Sequence, residues 1–250
     1  MPNFIQNISP DNAAVGKAAA EEIVALAEKC AANTGSFSIA LSGGSTPKLA
    51  YSLMATEPLL KRMPWKATKI FFGDERHVKP DSPDSNLRMA TEAMLSKVPT
   101  PKENVFPIST EGSVEECADK FDKVLRAQFS NPSFGFPAFD LVLLGIGPDG
   151  HTASLFPGTP APLEMKRWTT TCDPNSFNPA VKPAVKRITI TAPVIWNAKN
   201  VFVLATGAEK TPMLAKIFSE SEPPEPPVSR LVRKCSGVVT FFLDKAAAGK

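Results

Sequence analysis

In the middle of the chain, an acidic residue and a histidine share one glycine-rich turn. Asp149 and His151 flank Gly150, and the turn directly follows the apolar run Leu141 to Leu144. Open α/β sheets bind ligands beyond the carboxyl ends of their strands. A carboxylate at this spacing can fix the tautomer of the imidazole, which can then remove a proton from water. We therefore expect His151 to be a general base oriented by Asp149; the alternative is a structural histidine bonded to a loop carbonyl.

The same turn matches the G-x-G-x-x-G fingerprint of dinucleotide-binding proteins at Gly145, Gly147 and Gly150. That fingerprint needs a full helix at the last glycine and an acidic residue about 20 positions later. Pro157 stops any helix within two turns, and the nearest downstream acid, Glu164, comes too early. A dinucleotide is therefore not expected. The chain also lacks the G-x-S-x-G elbow of a serine nucleophile.

A second loop, between a strand-like run and a helix start, combines two glycines with three hydroxyl residues. Its residues are Ser42, Gly43, Gly44, Ser45 and Thr46. Glycines let the backbone approach an anion, and the free N–H groups of the first helical turn favour its charge. Because the Walker pattern is absent, a monophosphate is expected rather than ATP. The alternative is a capped helix after a tight turn.

A third loop carries charged side chains after the run Lys69 to Phe72. The planar fork of Arg76 could clamp a phosphate or a carboxylate, and Asp74 could orient a base or bind a sugar hydroxyl. An alternative role for Asp74 is pairing with Arg76. For Glu75 and His77 we expect a solvated surface cluster.

Helices and strands alternate along the chain, and these elements position the three loops. The predicted helices are 11–32, 46–54, 85–96, 114–129 and 211–218. The predicted strands are 37–41, 69–72, 105–106, 139–144, 187–191, 201–205 and 238–243. A stiff loop is expected over 223–227. This alternation predicts an α/β protein with a mostly parallel sheet and helices on both faces, and residues 1–250 are expected to form a single domain.

The composition favours neither a nucleic-acid partner nor a membrane partner. The formal net charge is +3, and no Lys/Arg-rich run is present. No apolar run approaches the ~20 residues that a membrane span requires, and residues 1–10 lack the regions of a secretory signal. The four cysteines are widely spaced and predict reduced, mostly packed thiols. These features predict a soluble protein of the cytoplasm.

Together, the three loops resemble the family of 6-phosphogluconolactonases and glucosamine-6-phosphate isomerases. The matching segments are 42–47, 73–76 and 147–157, and the resemblance extends through 85–86, 187–191 and 207–210. It implies a Rossmann-like fold and hydrolysis of 6-phospho-D-glucono-1,5-lactone in the oxidative pentose phosphate pathway. It implies no metal and no organic cofactor. It also implies that His151 is the base for the attacking water, and that Arg76 and Lys210 bind phosphate or stabilise developing charge.

The expected site combines this resemblance with the chemistry of the loops. The expected catalytic residues are His151, Asp149 and Arg76. The expected substrate-binding residues are Ser42, Gly43, Gly44, Ser45, Thr46, Asp74, Arg187 and Lys210. For Arg187 and Lys210 a solvated position at the edge of a strand is the alternative. The expected partner is a small sugar phosphate, and the chain is expected to be a monomer or a weak homo-oligomer.

Two other functions fit parts of the same pattern. Deaminases of glucosamine 6-phosphate resemble the chain in the hydroxyl-rich loop and in Asp-Gly-His. They differ by an aromatic residue where Arg76 stands, and by Phe-Asn-Glu-Pro, with its ring-opening acid, in place of segment 154–157. A noncatalytic sugar-phosphate sensor is the other alternative, but no separate DNA-binding module is evident.

Overall fold

The computed structural model describes residues 4–176, 181–219 and 227–250. In these ranges the strands are β1 (Phe4–Ser9), β2 (Phe37–Leu41), β3 (Thr68–Phe72), β4 (Asp74–Arg76), β5 (Val105–Phe106), β6 (Leu141–Leu144), β7 (Thr169–Cys172), β8 (Arg187–Ile190), β9 (Asn200–Ala205) and β10 (Val238–Asp244). The α-helices are α1 (Asn12–Thr34), α2 (Ser45–Met54), α3 (Leu59–Arg62), α4 (Asn86–Ala90), α5 (Val114–Gln128), α6 (Ala192–Trp196), α7 (Thr211–Phe218) and α8 (Pro227–Lys234).

Seven strands form one sheet, in the order β1-β10-β9-β6-β2-β3-β5. All of its neighbouring strands are parallel, which confirms the predicted α/β architecture. The central strands β2 and β6 are buried along their whole length. This burial matches their apolar sequences, because strands covered on both faces are typically continuous apolar runs.

Helix boundaries follow local signals closely at the two longest helices. The Asp11 carboxylate accepts a hydrogen bond from the Ala14 amide at 2.8 Å, and α1 ends at Gly35 with a left-handed φ of 75°. Ser113 and Glu116 form a reciprocal capping box at the start of α5. The helix predicted over 85–96 begins as α4 and continues as a π-helical turn over 91–95.

The strand predicted over 187–191 is present as β8 but does not join the parallel sheet. It pairs antiparallel with β4 and β7 in a separate three-stranded sheet. The sequence does not predict β4, whose charged residues are typical of a loop, nor the short β7, nor β1, a half-exposed edge strand. Of the loop expected over 223–227, residues 223–226 lie outside the described residues, and Pro227 opens α8.

Neighbouring strands direct their following loops to one edge of the parallel sheet. Strands β9, β6 and β2 lie side by side and end at Ala205, Leu144 and Leu41. Gly73 connects this edge to the small sheet. Its amide donates to the Leu41 carbonyl at 2.8 Å, and its carbonyl accepts from the Ile190 amide at 2.8 Å. The loops singled out by the sequence therefore meet at the carboxyl ends of the strands.

The cysteines are free thiols, as predicted, and Cys117 and Cys172 are buried. Among the described residues, no helix is both long and apolar enough to cross a membrane. The same ranges contain no group of three or more His, Cys, Asp or Glu side chains that could hold a metal ion.

Candidate active site

A cavity of about 400 Å³ lies at the carboxyl ends of β2, β6 and β9. This volume is typical of small-molecule sites in proteins. Apart from Asp149, which bonds to His151, every expected site residue lines the cavity: Ser42, Gly43, Gly44, Ser45, Thr46, Asp74, Arg76, His151, Arg187 and Lys210. Residues that were not expected also line it: Pro47, Gly145, Ile146, Gly147, Pro148, Ala153, Leu204, Ala205, Thr206 and Glu209.

The histidine loop holds His151 directly against its acidic neighbour. The Nδ1 atom of His151 lies 2.5 Å from Oδ1 of Asp149, and the His151 amide donates to the same oxygen at 3.1 Å. The carbonyl of His151 accepts from the Gly147 amide at 2.9 Å. A Cβ on Gly147 would lie 2.0 Å from Nδ1. Only glycine therefore lets this backbone approach the imidazole so closely.

The environment of Asp149 keeps its carboxyl ionised. Burial on its own would raise the pKa of Asp149, but the hydrogen bond and charge of His151 outweigh burial and hold that pKa below its ordinary value. Because an ionised carboxylate only accepts hydrogen bonds, Nδ1 of His151 carries the proton. In the neutral ring, Nε2 is then the nitrogen that can accept a proton.

Two arginines face each other beside the cavity. Arg76 and Arg187 are direct partners in the antiparallel pairing of β4 with β8. Arg187 is only 4% exposed, so the solvated alternative is wrong for it. Burial lowers the pKa of the Arg187 guanidinium, against the opposing effect of Asp74. Both Nε atoms are buried and have no hydrogen-bond partner among the described residues. Two like charges that are direct neighbours at a cavity favour an anion beside them.

Asp74 connects three segments of the site. Its Oδ2 accepts a hydrogen bond from Ser154 Oγ at 2.6 Å, and its Oδ1 accepts one from Asn86 Nδ2 at 3.2 Å. Ser154 belongs to the histidine loop, and Asn86 is the first residue of α4. Hydrogen bonding of Asp74 is thus directed to Asn86 and Ser154, and no ion pair joins it to Arg76 in the part of the chain that the structure describes.

The expectation of a solvated position is wrong for Glu75. Its side chain is 2% exposed and accepts hydrogen bonds from the amides of Asn86 and Leu87 at 2.7 and 2.8 Å. Burial raises the pKa of Glu75, and these amides oppose that effect. Glu75 therefore holds the first turn of α4 beneath the site. His77 contacts the Gly112 carbonyl at 3.0 Å and does not line the cavity.

The hydroxyl-rich loop is fixed by a buried tyrosine. The Tyr51 hydroxyl donates to the Ser42 carbonyl and accepts from the Ser42 amide, both at 2.9 Å. Burial raises the pKa of Tyr51 far above its ordinary value. Gly44 has a φ of 112°, a conformation that favours glycine, and α2 begins at the next residue. A Cβ on Gly43 would lie 2.1 Å from Oδ1 of Asn86.

The loop after β9 completes the cavity. Lys210 ends the short 3₁₀ turn Ala208–Lys210, and its nearest carboxylate is that of Glu209 at 3.9 Å. The Asp244 carboxylate holds this loop by accepting from the Gly207 amide at 3.1 Å. Thr206 shares a hydrogen bond of 3.0 Å with Thr46, which joins this loop to the hydroxyl-rich loop.

Three buried residues that support this site were not expected from the sequence. Ser154 bonds to Asp74 in a distant segment, whereas Tyr51 lies nine positions from Ser42 and Phe156 lies five positions from His151. Ser154 and Phe156 fall inside the histidine motif, and Tyr51 is the only tyrosine of the chain. These were the available signals. Glu209 could have been noticed beside Lys210.

The chain is similar to known proteins over nearly its whole length. Residues 10–241 match the family described as glucosamine-6-phosphate isomerases/6-phosphogluconolactonase. The chain is 37% identical to a 6-phosphogluconolactonase of Nostoc sp., covering 97% of this chain and 96% of the relative. A relative of the same name from Synechocystis sp. is 40% identical, with 88% and 86% covered.

Solved structures give the same result for the fold. A 6-phosphogluconolactonase from Trypanosoma brucei superposes with a TM-score of 0.87 at 34% identity, covering 100% of this chain and 99% of the other. The one from Trypanosoma cruzi gives 0.86 at 36% identity, covering 100% and 97%. A monomeric glucosamine-6-phosphate deaminase gives 0.79 at 17% identity, covering 99% of each chain, and so shares the fold alone.

Proposed function

The chain belongs to the family of glucosamine-6-phosphate isomerases and 6-phosphogluconolactonases, and we propose that it hydrolyses 6-phospho-D-glucono-1,5-lactone to 6-phospho-D-gluconate in the oxidative pentose phosphate pathway. One observation supports this reaction above the others. The His151–Asp149 pair lies at the same cavity as three cationic side chains, those of Arg76, Arg187 and Lys210. A base and an anion site are what a phosphorylated lactone requires.

In the proposed mechanism, Nε2 of His151 removes a proton from water as the water oxygen attacks the lactone carbonyl carbon. Asp149 holds the Nδ1 proton and stabilises the imidazolium that forms. The carbonyl becomes a tetrahedral oxyanion, and its collapse breaks the bond to the ring oxygen. The imidazolium returns its proton to that oxygen, and the product is an open-chain acid. General-base catalysis of this kind contributes about 10² to 10⁴ in rate.

We assign the substrate's negative charge to the cationic side of the cavity. Arg76, Arg187 and Lys210, with the loop 42–46, bind the phosphate or stabilise the oxyanion. The direct pairing of the two arginines in the cavity wall supports this assignment. Binding the distant phosphate orients the reacting carbon, which can contribute more to the rate than contacts at the carbonyl alone. Asp74 is assigned to a sugar hydroxyl.

The remaining expectations are part of the same proposal. The reaction needs no metal and no organic cofactor, because His151 activates the water directly. The substrate is a small sugar phosphate and not a nucleic acid. We propose that residues 1–250 act as a single domain, as a monomer or a weak homo-oligomer in the cytoplasm. Some rice relatives are named chloroplastic.

The test is the decay of freshly generated 6-phosphogluconolactone, followed by acid release against spontaneous hydrolysis at the same pH. His151→Asn should lose about 10² to 10⁴ in kcat. His77→Asn is the matched control, since His77 lies outside the cavity, and it should keep wild-type turnover. Near-normal turnover by His151→Asn would rule out His151 as the general base. If the folded wild-type protein does not accelerate decay, the proposal is wrong, and ammonia release from glucosamine 6-phosphate becomes the next assay.

A further inference from the structure

The proposed mechanism leaves one buried aromatic residue beside the base unexplained. Phe156 is 1% exposed and lies five positions after His151. Their ring centroids are 4.0 Å apart and their planes are inclined by 26°, so the two rings are stacked. Between them, the Leu155 amide donates to the Thr152 carbonyl at 3.0 Å and closes a tight turn. This turn brings the phenyl ring back against the imidazole.

Stacking supplies a restraint that the hydrogen bond to Asp149 cannot. The bond to Nδ1 and the attachment at Cγ restrain one edge of the imidazole, and changes in the side-chain torsions can still tilt its plane. Gly147 limits the ring at the Nδ1 edge, and Phe156 covers one of its faces. The plane of His151, and with it the direction of Nε2, is therefore set by Phe156 and Asp149 acting together.

The same phenyl ring also contacts a cation of the cavity. The guanidinium carbon of Arg187 lies over the Phe156 ring, 5.4 Å from its centroid. Attraction between a guanidinium and an aromatic face strengthens when water is excluded, as it is at this buried side chain. One residue thus borders both the proposed base and a proposed anion ligand.

We propose that Phe156 is a positioning residue for this reaction: its ring sets the plane of the His151 imidazole and supports Arg187. The proposal rests on the proposed function for its kinetic consequence, but the stacking itself can be tested without substrate. Misplacing a reacting group by about 1 Å can cost about 10²-fold in rate. Loss of the ring should therefore reduce kcat by about tenfold or more.

Phe156→Leu keeps an apolar side chain and removes the ring. Proton NMR of the imidazoles reads the geometry directly, because the chain has only two histidines and the His77→Asn variant assigns them. In the wild type, the His151 ring protons should lie upfield of those of His77 and show cross-relaxation with Phe156. In Phe156→Leu, the His151 signals should move downfield while those of His77 stay in place.

Phe121→Leu is the matched control, because Phe121 is an equally buried phenylalanine on α5, whereas Phe156 is the ring that stacks on His151. It should keep the His151 signals and kcat of the wild type, whereas Phe156→Leu should lower kcat by a larger factor than it raises KM. Wild-type kcat in Phe156→Leu would overturn the proposal. So would the absence of cross-relaxation in the wild type, even if no variant folds. A wild-type protein with the stacking signature but no lactone turnover would refute the proposed function and not the stacking.

Discussion

Replacing Tyr51 by phenylalanine should weaken both the fold and anion binding. The variant keeps the ring but leaves the Ser42 amide and carbonyl without the two 2.9 Å bonds that they make to the tyrosine hydroxyl. A buried polar group without a partner costs about 1–3 kcal/mol, so the two groups together should lower the free energy of unfolding by about 2–6 kcal/mol. At about 2–4 °C per kcal/mol for a chain of this size, Tm should fall by about 4–24 °C.

Calorimetry measures the stability, and lactone hydrolysis at several substrate concentrations measures the effect on the site. KM should rise more than kcat falls, because the hydroxyl-rich loop loses its anchor while His151 keeps its own. Ser52→Ala is the matched control, since it removes an exposed hydroxyl from the same helix. It should change stability by less than about 0.5 kcal/mol. A Tyr51→Phe variant with the Tm and KM of the wild type would refute the reasoning.

Two further predictions concern the buried hydrogen bond between Ser154 and Asp74 and the ionised carboxylate of Asp149. Ser154→Ala removes the 2.6 Å hydrogen bond from Ser154 to the Asp74 carboxylate. Because hydrogen bonds to charged groups contribute about 1.5–3 kcal/mol, urea denaturation should show that the free energy of unfolding falls by this amount. A change under about 0.5 kcal/mol would contradict this role. Asp149 has a folded-state pKa below its ordinary value, so its ionisation stabilises the fold above about pH 4, and this contribution is lost as the pH falls further. Between about pH 6 and about pH 3, the difference in free energy of unfolding between the wild type and Asp149→Asn should therefore become smaller as the pH falls. A difference that stays constant over this range would contradict the stabilising effect of the ionised carboxylate.

Local interactions explain which parts of the molecule could be predicted from the sequence. The bond between His151 and Asp149 spans two residues, and the caps of α1 and α5 span three, so each is contained in one short segment. Parallel strands also end at a common edge, which is why three separate loops could be assigned to one site before any contact was known.

Contacts between distant segments could not be predicted from the sequence, because no short segment contains both partners. Ser154 meets Asp74 across 80 positions, and nothing in either segment identifies the other. The charges of β4 are typical of a solvated loop, yet pairing with β8 and the amides of α4 bury Glu75. Burial of a charge depends on partners that only the folded chain brings together.

The place of β10 in the parallel sheet also affects how the protein can be made. This strand lies between β1 and β9, so the first described strand takes the last one as its only neighbour. During synthesis on the ribosome, β1 therefore emerges more than 200 residues before its partner, counting from Ser9 to Val238. Pairings this remote in sequence make folding slow. The growing chain carries an unpaired strand edge until β10 emerges, and such an edge makes a partly folded chain prone to aggregation.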